Sequence, residues 1–491
     1  MTLLVLLSLP LLGVATLVAL GPRRDRLARW VSLAALLLDL AWLLAAWGRQ
    51  GHFSRYGEWR VECLVPWIPS FGASLHLMLD GLGLVMLLLA LGLGLVAVLA
   101  SWREIERRAA FFHGNLLACL AGILGVFLAR DLFLFYTCWE LMLIPMYFMI
   151  GVHGHENRRA AATKFFLFTQ AGGLLMLLSI VGVWLCHGQQ TGVYTFDLPA
   201  LLGTALPAGV APWLMGGMLA GFLVKLPAFP LHVWLPDAHT EAPTGGSVIL
   251  AGLLLKTGAY GLLRICFPLF PQTVPLLRPL LVALAIGGIL YGALRAMAQD
   301  DFKRLVAYSS VSHLGYVLLA LAVWRPMALA GAVVQMVAHG LSTGALFLLA
   351  GALDRRLHTR RLERMGGLWD AVPRLAGAVL FFSLASLGLP GLANFSGEAL
   401  ILFGGFDAYP LAVVLGAAGL VLAAVYSLRL VQRALHGPAG QEWHLADLDG
   451  REGGALLLLG AASLWIGLYP APFLRVIEPA LARLIQSGGT L

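Results

Sequence analysis

Six side chains able to take up or release a proton lie inside stretches too apolar to hold them without a purpose. Glu140 sits in Phe135-Tyr-Thr-Cys-Trp-Glu-Leu-Met-Leu-Ile-Pro145, Lys225 in Lys225-Leu-Pro-Ala-Phe-Pro230, and Lys256 in Ile249-Leu-Ala-Gly-Leu-Leu-Leu-Lys-Thr-Gly-Ala-Tyr260. Glu398 follows Gly388-Leu-Pro-Gly391, while His313 and His339 occupy Ser309-Ser-Val-Ser-His-Leu-Gly and Val337-Ala-His-Gly-Leu-Ser-Thr. A charge at the centre of a bilayer costs about 2.5–3.5 kcal/mol on insertion scales. Carboxylate, ammonium and imidazole groups in such a place are suited to proton transfer, because small changes in solvation or pairing move their proton affinities. Each charge taken alone reads equally as a fixed ion pair that orients helices, and each histidine as a packing residue. Four charges together, with Lys225 and Glu398 beside helix breaks, favour function.

The segments around them dictate where such groups must sit. Of 491 residues, 60% are hydrophobic and 12% charged, about half the charge of a soluble chain. A spanning helix needs roughly 20 mostly apolar residues. Such runs recur at 2–20, 29–47, 78–100, 111–129, 131–151, 164–186, 211–234, 246–267, 275–297, 304–323, 327–351, 373–407, 410–432 and 453–473. The expected fold is therefore all-α and polytopic, with about 14 transmembrane helices. The seventh and twelfth spans contain Pro227 with Pro230, and Pro390 with Gly391. Proline removes a backbone donor and clashes with the preceding turn, so both spans should open. Open backbone at membrane depth must line a cavity or be buried in protein. Two broken helices, five apart in order, suggest inverted repeats, helices four to eight and nine to thirteen. The expected division is 1–110, an N-terminal three-helix segment; 111–267 and 268–434, the two repeats; and 435–491, a last helix and tail.

The remaining signals are weaker. The first apolar run, Met1 to Leu20, precedes its basic cluster Arg23, Arg24, Arg26 and Arg29. That order fits a first span, whereas a signal peptide starts with its basic region. Most of the 33 Lys and Arg fall in the odd-numbered connections, which places these in the cytoplasm and both termini on the periplasmic side. The net charge of +8 reflects this retention and does not call for nucleic acid. Cys63, Cys119, Cys138, Cys186 and Cys266 are scattered, without the clustering that iron–sulfur or zinc sites require. The run His232-Val-Trp-Leu-Pro-Asp-Ala-His-Thr-Glu241 has metal-like spacing, but Pro236 and Pro243 frame it as a loop. His153-Gly-His155 is no stronger, and no metal is expected. No Walker loop, dinucleotide fingerprint or haem motif occurs, so no cofactor is expected in this chain. Asp80 and Asp131 lie near helix ends and read as caps or interfacial residues. Lys164 starts a helix, as a snorkelling anchor or as an interior partner.

With these residues placed, the sequence resembles the antiporter-like membrane subunits of respiratory complex I, the NADH–quinone oxidoreductase. The likeness spans nearly the whole chain. Its most specific pieces are Leu79-Asp-Gly-Leu, the stretch from Phe135 to Phe148, Ala162-Thr-Lys-Phe-Phe-Leu-Phe-Thr-Gln-Ala-Gly-Gly, the run from Lys225 to Thr244, Asp301-Phe-Lys-Arg-Leu-Val-Ala-Tyr-Ser-Ser-Val-Ser-His-Leu-Gly-Tyr, and Gly388-Leu-Pro-Gly-Leu-Ala-Asn-Phe-Ser-Gly-Glu. The resemblance implies two inverted five-helix repeats, a pairing of Glu140 with Lys225, Lys256 as a central lysine, and Glu398 as a terminal acid. It implies that His313 and His339 lie on a hydrated axis between them. NADH, FMN, iron–sulfur clusters and quinone would belong to partner subunits, with antiporter-like neighbours on both sides of this chain in a bacterial inner membrane. Subunits of sodium/proton antiporters and membrane-bound hydrogenases share the fold. Most of these relatives carry lysine where this chain has Glu398.

Overall fold

The computed structural model describes residues 2–21, 25–49, 60–438 and 443–487. Arg23 and Arg24 of the first basic cluster lie outside the described residues. Helices α1 (Thr2–Leu20) and α2 (Asp25–Arg49) precede a β-hairpin, β1 (Arg60–Ile68) and β2 (Ala73–Asp80). The hairpin is antiparallel, with Arg60 opposite Asp80 and Leu64 opposite His76. It adds strands to an otherwise helical chain, and it delays the third helix to Gly81, three residues later than expected. Then follow α3 (Gly81–Ala100), α4 (Ala109–Leu128), α5 (Leu132–His153) and α6 (Arg158–Thr191).

The seventh span breaks as its prolines require. Helix α7 (Ala211–Lys225) stops at Lys225, and α8 (Leu235–Glu241) resumes after an open stretch. The metal-like run is therefore helical over its second half, because Pro236 falls in the first turn of α8, where no backbone donor is needed. Next come α9 (Thr244–Leu269), α10 (Val274–Met297), α11 (Phe302–Val323) and α12 (Pro326–Leu357). The twelfth span breaks into α13 (Pro373–Ser386) and α14 (Ala393–Gly405), followed by α15 (Pro410–Val431) and α16 (Gly450–Leu468). The tail forms another helix, α17 (Ala471–Ser487), bent by 76° from α16.

Eleven helices among the described residues are long and apolar enough to cross a bilayer, or twelve with the α16–α17 pair counted as one span. The count of fourteen also included the two broken spans, whose halves are individually too short. Acidic caps start α3, α5 and α11. Asp80 accepts from Gly83 N at 3.0 Å, Asp131 from Phe133 N and Leu134 N at 2.9 Å, and Asp301 from Arg304 N at 3.0 Å. Asp80 and Asp131 are thus caps, as their positions suggested.

The bundle has two ends. The hairpin end gathers the 60–80 hairpin, the start of α5 and the 192–210 connection, through bridges Leu77–Ala129 and Asp131–Asp197. The opposite end joins Glu104 to Thr244 N, Glu241 to Asn157 N, and Arg356 to Glu452. Helices α9, α11 and α12 are buried on every side within their most apolar windows. A helix apolar all round belongs in a core, and these three carry Lys256, His313 and His339. The periphery is apolar too: Val18, Trp213, Leu276, Phe403 and Leu457 are exposed, as hydrocarbon contact requires. The chain is a multi-pass membrane protein.

Candidate proton-transfer site

Lys225 is the last residue of α7, where unpaired carbonyls give the helix end a partial negative charge that favours a cation. Its Nζ is buried without a hydrogen-bond partner. It lies 5.0 Å from the ring centroid of Trp139 and 5.8 Å from that of Phe165, so aromatic faces hold the ammonium. Glu140, next to Trp139 on α5, acts on Lys225 through its charge. However, no ion pair within 4.0 Å joins them among the described residues, and Glu140 Oε1 has no hydrogen-bond partner. A Cβ at Gly173 of α6 would stand 2.8 Å from that oxygen. Glycine at 173 therefore makes room for the carboxylate. The expected pair is close enough to interact but is not in contact.

The other four residues form a contiguous chain. Lys256 Nζ donates to Ala251 O at 2.5 Å and meets His339 Nδ1 at 2.6 Å. The turn before Lys256, Leu250–Leu254, is π-helical, a widening common at functional sites. Backbones of α9 and α12 come close here: a Cβ at Gly340 would sit 3.1 Å from Gly252 O. The rings of His339 and His313 are 5.8 Å apart between centroids, and His339 Nε2 is unpartnered. His313 Nδ1 meets Glu398 Oε1 at 2.9 Å. The break in the twelfth span serves this contact. Ser386, the last residue of α13, places its hydroxyl 3.3 Å from His313 Nε2, while Glu398 reaches the same ring from α14. All four side chains are at most 1% exposed. Among the described residues no hydrogen bond links Lys225 to Lys256, so the six residues fall into a loose pair and a connected line.

A model of the NADH:quinone oxidoreductase/Mrp antiporter transmembrane family matches residues 129–424, which include every one of these groups. The chain belongs to that family. Among family members, NADH-quinone oxidoreductase subunit M of Escherichia coli strain K12 is 47% identical over 473 residues, covering 94% of this chain and 93% of the relative. The subunit M of Pseudomonas aeruginosa is 49% identical over 462 residues, covering 92% and 91%. In structure, the chain is similar to one in respiratory complex I from Thermus thermophilus with bound NADH, with a TM-score of 0.89, 33% identity and full coverage of both chains. It also resembles a chain of the Mrp complex from Dietzia, with a TM-score of 0.85 and 26% identity, covering 99% of this chain but 52% of that one.

Sequence reasoning missed several groups that complete this family member's buried line. Gln335 donates to Glu398 Oε1 at 2.9 Å, and the Tyr426 hydroxyl lies 3.0 Å from His313 Nε2. Gln335 stands four residues before His339 on α12, the one-turn spacing that could have revealed it. His239, on α8, is fully buried, stacked on Phe347 at 4.4 Å, with neither ring nitrogen partnered. Lys256 and Lys303 are the lysines whose charges act on it. Its metal-like neighbours drew attention away from its place on the half-helix leading to Lys256. Lys164 proves to be a partner residue: it pairs with Asp237 at 2.7 Å, and Asp237 also holds Arg304 at 3.1 Å.

Proposed function

We propose that this chain is subunit M of a bacterial NADH–quinone oxidoreductase and translocates protons through its buried Glu, Lys and His residues while quinone is reduced in partner subunits. The observation that carries this reading is the buried line from Lys256 through His339 and His313 to Glu398, with contacts of 2.6 and 2.9 Å at its two ends and the two imidazole rings 5.8 Å apart between centroids. Each neighbour in that line is a group that both takes and gives a proton, and a purely structural core has no need of four in a row.

Proton transfer begins at the end opposite the hairpin, which faces the cytoplasm by the distribution of basic residues. His239 on α8 offers free ring nitrogens between that end and Lys256. Lys256 passes its proton to His339 Nδ1 across the 2.6 Å contact. His339 Nε2 delivers it to the His313 ring by rotation or through a bridging water, and His313 hands it to Glu398. Glu140 and Lys225 set the field. When their separation changes, the proton affinity of Lys256 changes with it, and one pKa unit is worth about 1.4 kcal/mol. The two repeats, 111–267 and 268–434, would each supply one broken helix, with both chain termini on the periplasmic side. NADH, FMN, iron–sulfur clusters and quinone are assigned to partner subunits, and no redox centre or metal to this chain. Sodium/proton antiport without a redox partner is the second reading, favoured by the structural likeness to the Mrp chain.

Affinity purification of the tagged chain from its native membrane decides between them. Co-purification of NADH-oxidising, iron–sulfur subunits, with NADH-driven acidification of inverted vesicles, is the expected result. A complex without NADH oxidation that exchanges sodium for protons would refute the proposal.

A further inference from the structure

Tyr260 and Arg264 follow Lys256 at steps of four residues along α9, so the three share one face of the helix. Tyr260 is 2% exposed and Arg264 4%. Arg264 Nη2 donates to Asp80 Oδ1 at 2.6 Å, and the other Asp80 oxygen faces Arg483 of α17 at 4.0 Å. Arg483 is 39% exposed. A string of polar side chains thus leads from the turn beyond Lys256 to the surface at the hairpin end. Nothing in the transfer line uses it.

The hydrogen-bond directions show what the string does. The Tyr260 hydroxyl donates to Phe127 O at 2.7 Å and accepts from Arg264 Nε at 3.3 Å. Its proton is committed to a backbone carbonyl, which cannot pass it on. Its next side-chain neighbour is a guanidinium, a donor with no acceptor lone pair that does not deprotonate in proteins. A proton leaving Lys256 in this direction therefore meets, before Asp80, no group able to pass it on. Arg130 lies within electrostatic reach of Arg264, and fixed cations in a narrow passage repel further positive charge. Asp80 holds the guanidinium in place while it caps α3 through Gly83 N.

We propose that Tyr260, Arg264, Asp80 and Arg483 form a proton seal. They close the direct path between Lys256 and water at the hairpin end, so that a proton on Lys256 moves sideways to His339. This rests on the reading of Lys256 as a proton carrier.

The test uses the whole NADH–quinone oxidoreductase in proteoliposomes, with passive proton conductance measured under an imposed pH gradient. In the double variant Arg264→Gln with Asp80→Asn, a neutral pair that still hydrogen-bonds replaces the ion pair, and the glutamine carbonyl supplies an acceptor. Conductance should rise by about tenfold or more, and the NADH-driven gradient should fall while quinone reduction continues. The single variant Asp80→Asn keeps an acceptor for Gly83 N and leaves the guanidinium at 264, so it should stay as tight as the parent. An equal leak there would show that loss of the ion pair alone, not an opened path past residue 264, admits protons, and would overturn the seal. A double variant assembled with the parent's conductance also overturns it. Lys256→Met separates the two ideas: normal pumping in that variant refutes the carrier reading, whereas lost pumping together with a tight double variant refutes the seal alone.

Discussion

Replacing Lys256 by arginine separates charge from proton release at the centre of the line. The native Nζ is fully buried, donates to Ala251 O and lies 2.6 Å from His339 Nδ1. Arginine keeps the positive charge and the donors but does not give up its proton. Hydrogen bonds to charged groups contribute about 1.5–3 kcal/mol each, and most of this survives the exchange. Overpacking by the larger head costs about 1–3 kcal/mol. The complex should therefore still assemble, with at most a few degrees lost in thermal midpoint. Lys256→Met serves as the companion, because it keeps most of the volume and removes the charge. It leaves His339 Nδ1 without its partner, at a cost of about 1–3 kcal/mol, offset in part because no charge is then buried. The assay is the number of protons moved per NADH oxidised in inverted vesicles. Both variants should lose the share carried by this subunit, the arginine variant as completely as the methionine one. If Lys256→Arg pumps at the native ratio, the lysine acts through its fixed charge, and proton hopping through it is wrong.

Three further outcomes follow from the geometry. Gly388 has a φ of +83°, and a Cβ there would stand 2.9 Å from Glu398 Oε2; Gly388→Ala should cost about 1–2 kcal/mol in thermal stability and lower the pumping ratio, and an unaltered ratio would show that the break does not position Glu398. A Cβ at Gly81 would come within 1.7 Å of Val476 O, so Gly81→Ala should displace α17 and expose it to protease, at about 1–3 kcal/mol; parental resistance would refute this. Outside the spans, burial alone would lower the pKa of His76, but its hydrogen bonds to Asp197 and Glu62 outweigh that and raise it. A raised histidine stabilises fully below its unfolded value of about 6.5 and loses that contribution as pH climbs through the raised value. The hairpin should accordingly exchange its amide hydrogens faster on the alkaline side, after correction for intrinsic exchange, and His76→Gln should flatten the dependence; an equal slope in both proteins would show that the clasp does not titrate.

Much of the site was legible because membrane physics makes it so. A charge in an apolar run of spanning length is costly enough to stand out in one sequence, and that alone singled out Glu140, Lys225, Lys256 and Glu398. Proline and glycine act on their own backbone, so both helix breaks could be placed to within a few residues. Caps are equally local, which is why Asp80 and Asp131 read correctly. The hairpin escaped notice because pairing of Leu64 with His76 is a contact between segments that no helical periodicity announces.

The sequence by itself determined that this is a membrane bundle with two broken helices and ionisable groups at its core. It could not say which groups touch, because packing brings together residues far apart in the chain. Only the tertiary structure set Lys225 on the ring of Trp139 and away from direct contact with Glu140, joined Gln335 and Tyr426 to the His313–Glu398 pair, and placed the unpartnered His239 on the half-helix before Lys256. The same packing fixed the donor directions around Tyr260 and Arg264. A hydrogen bond has a polarity as well as a position, and that polarity exists only once both partners are in place.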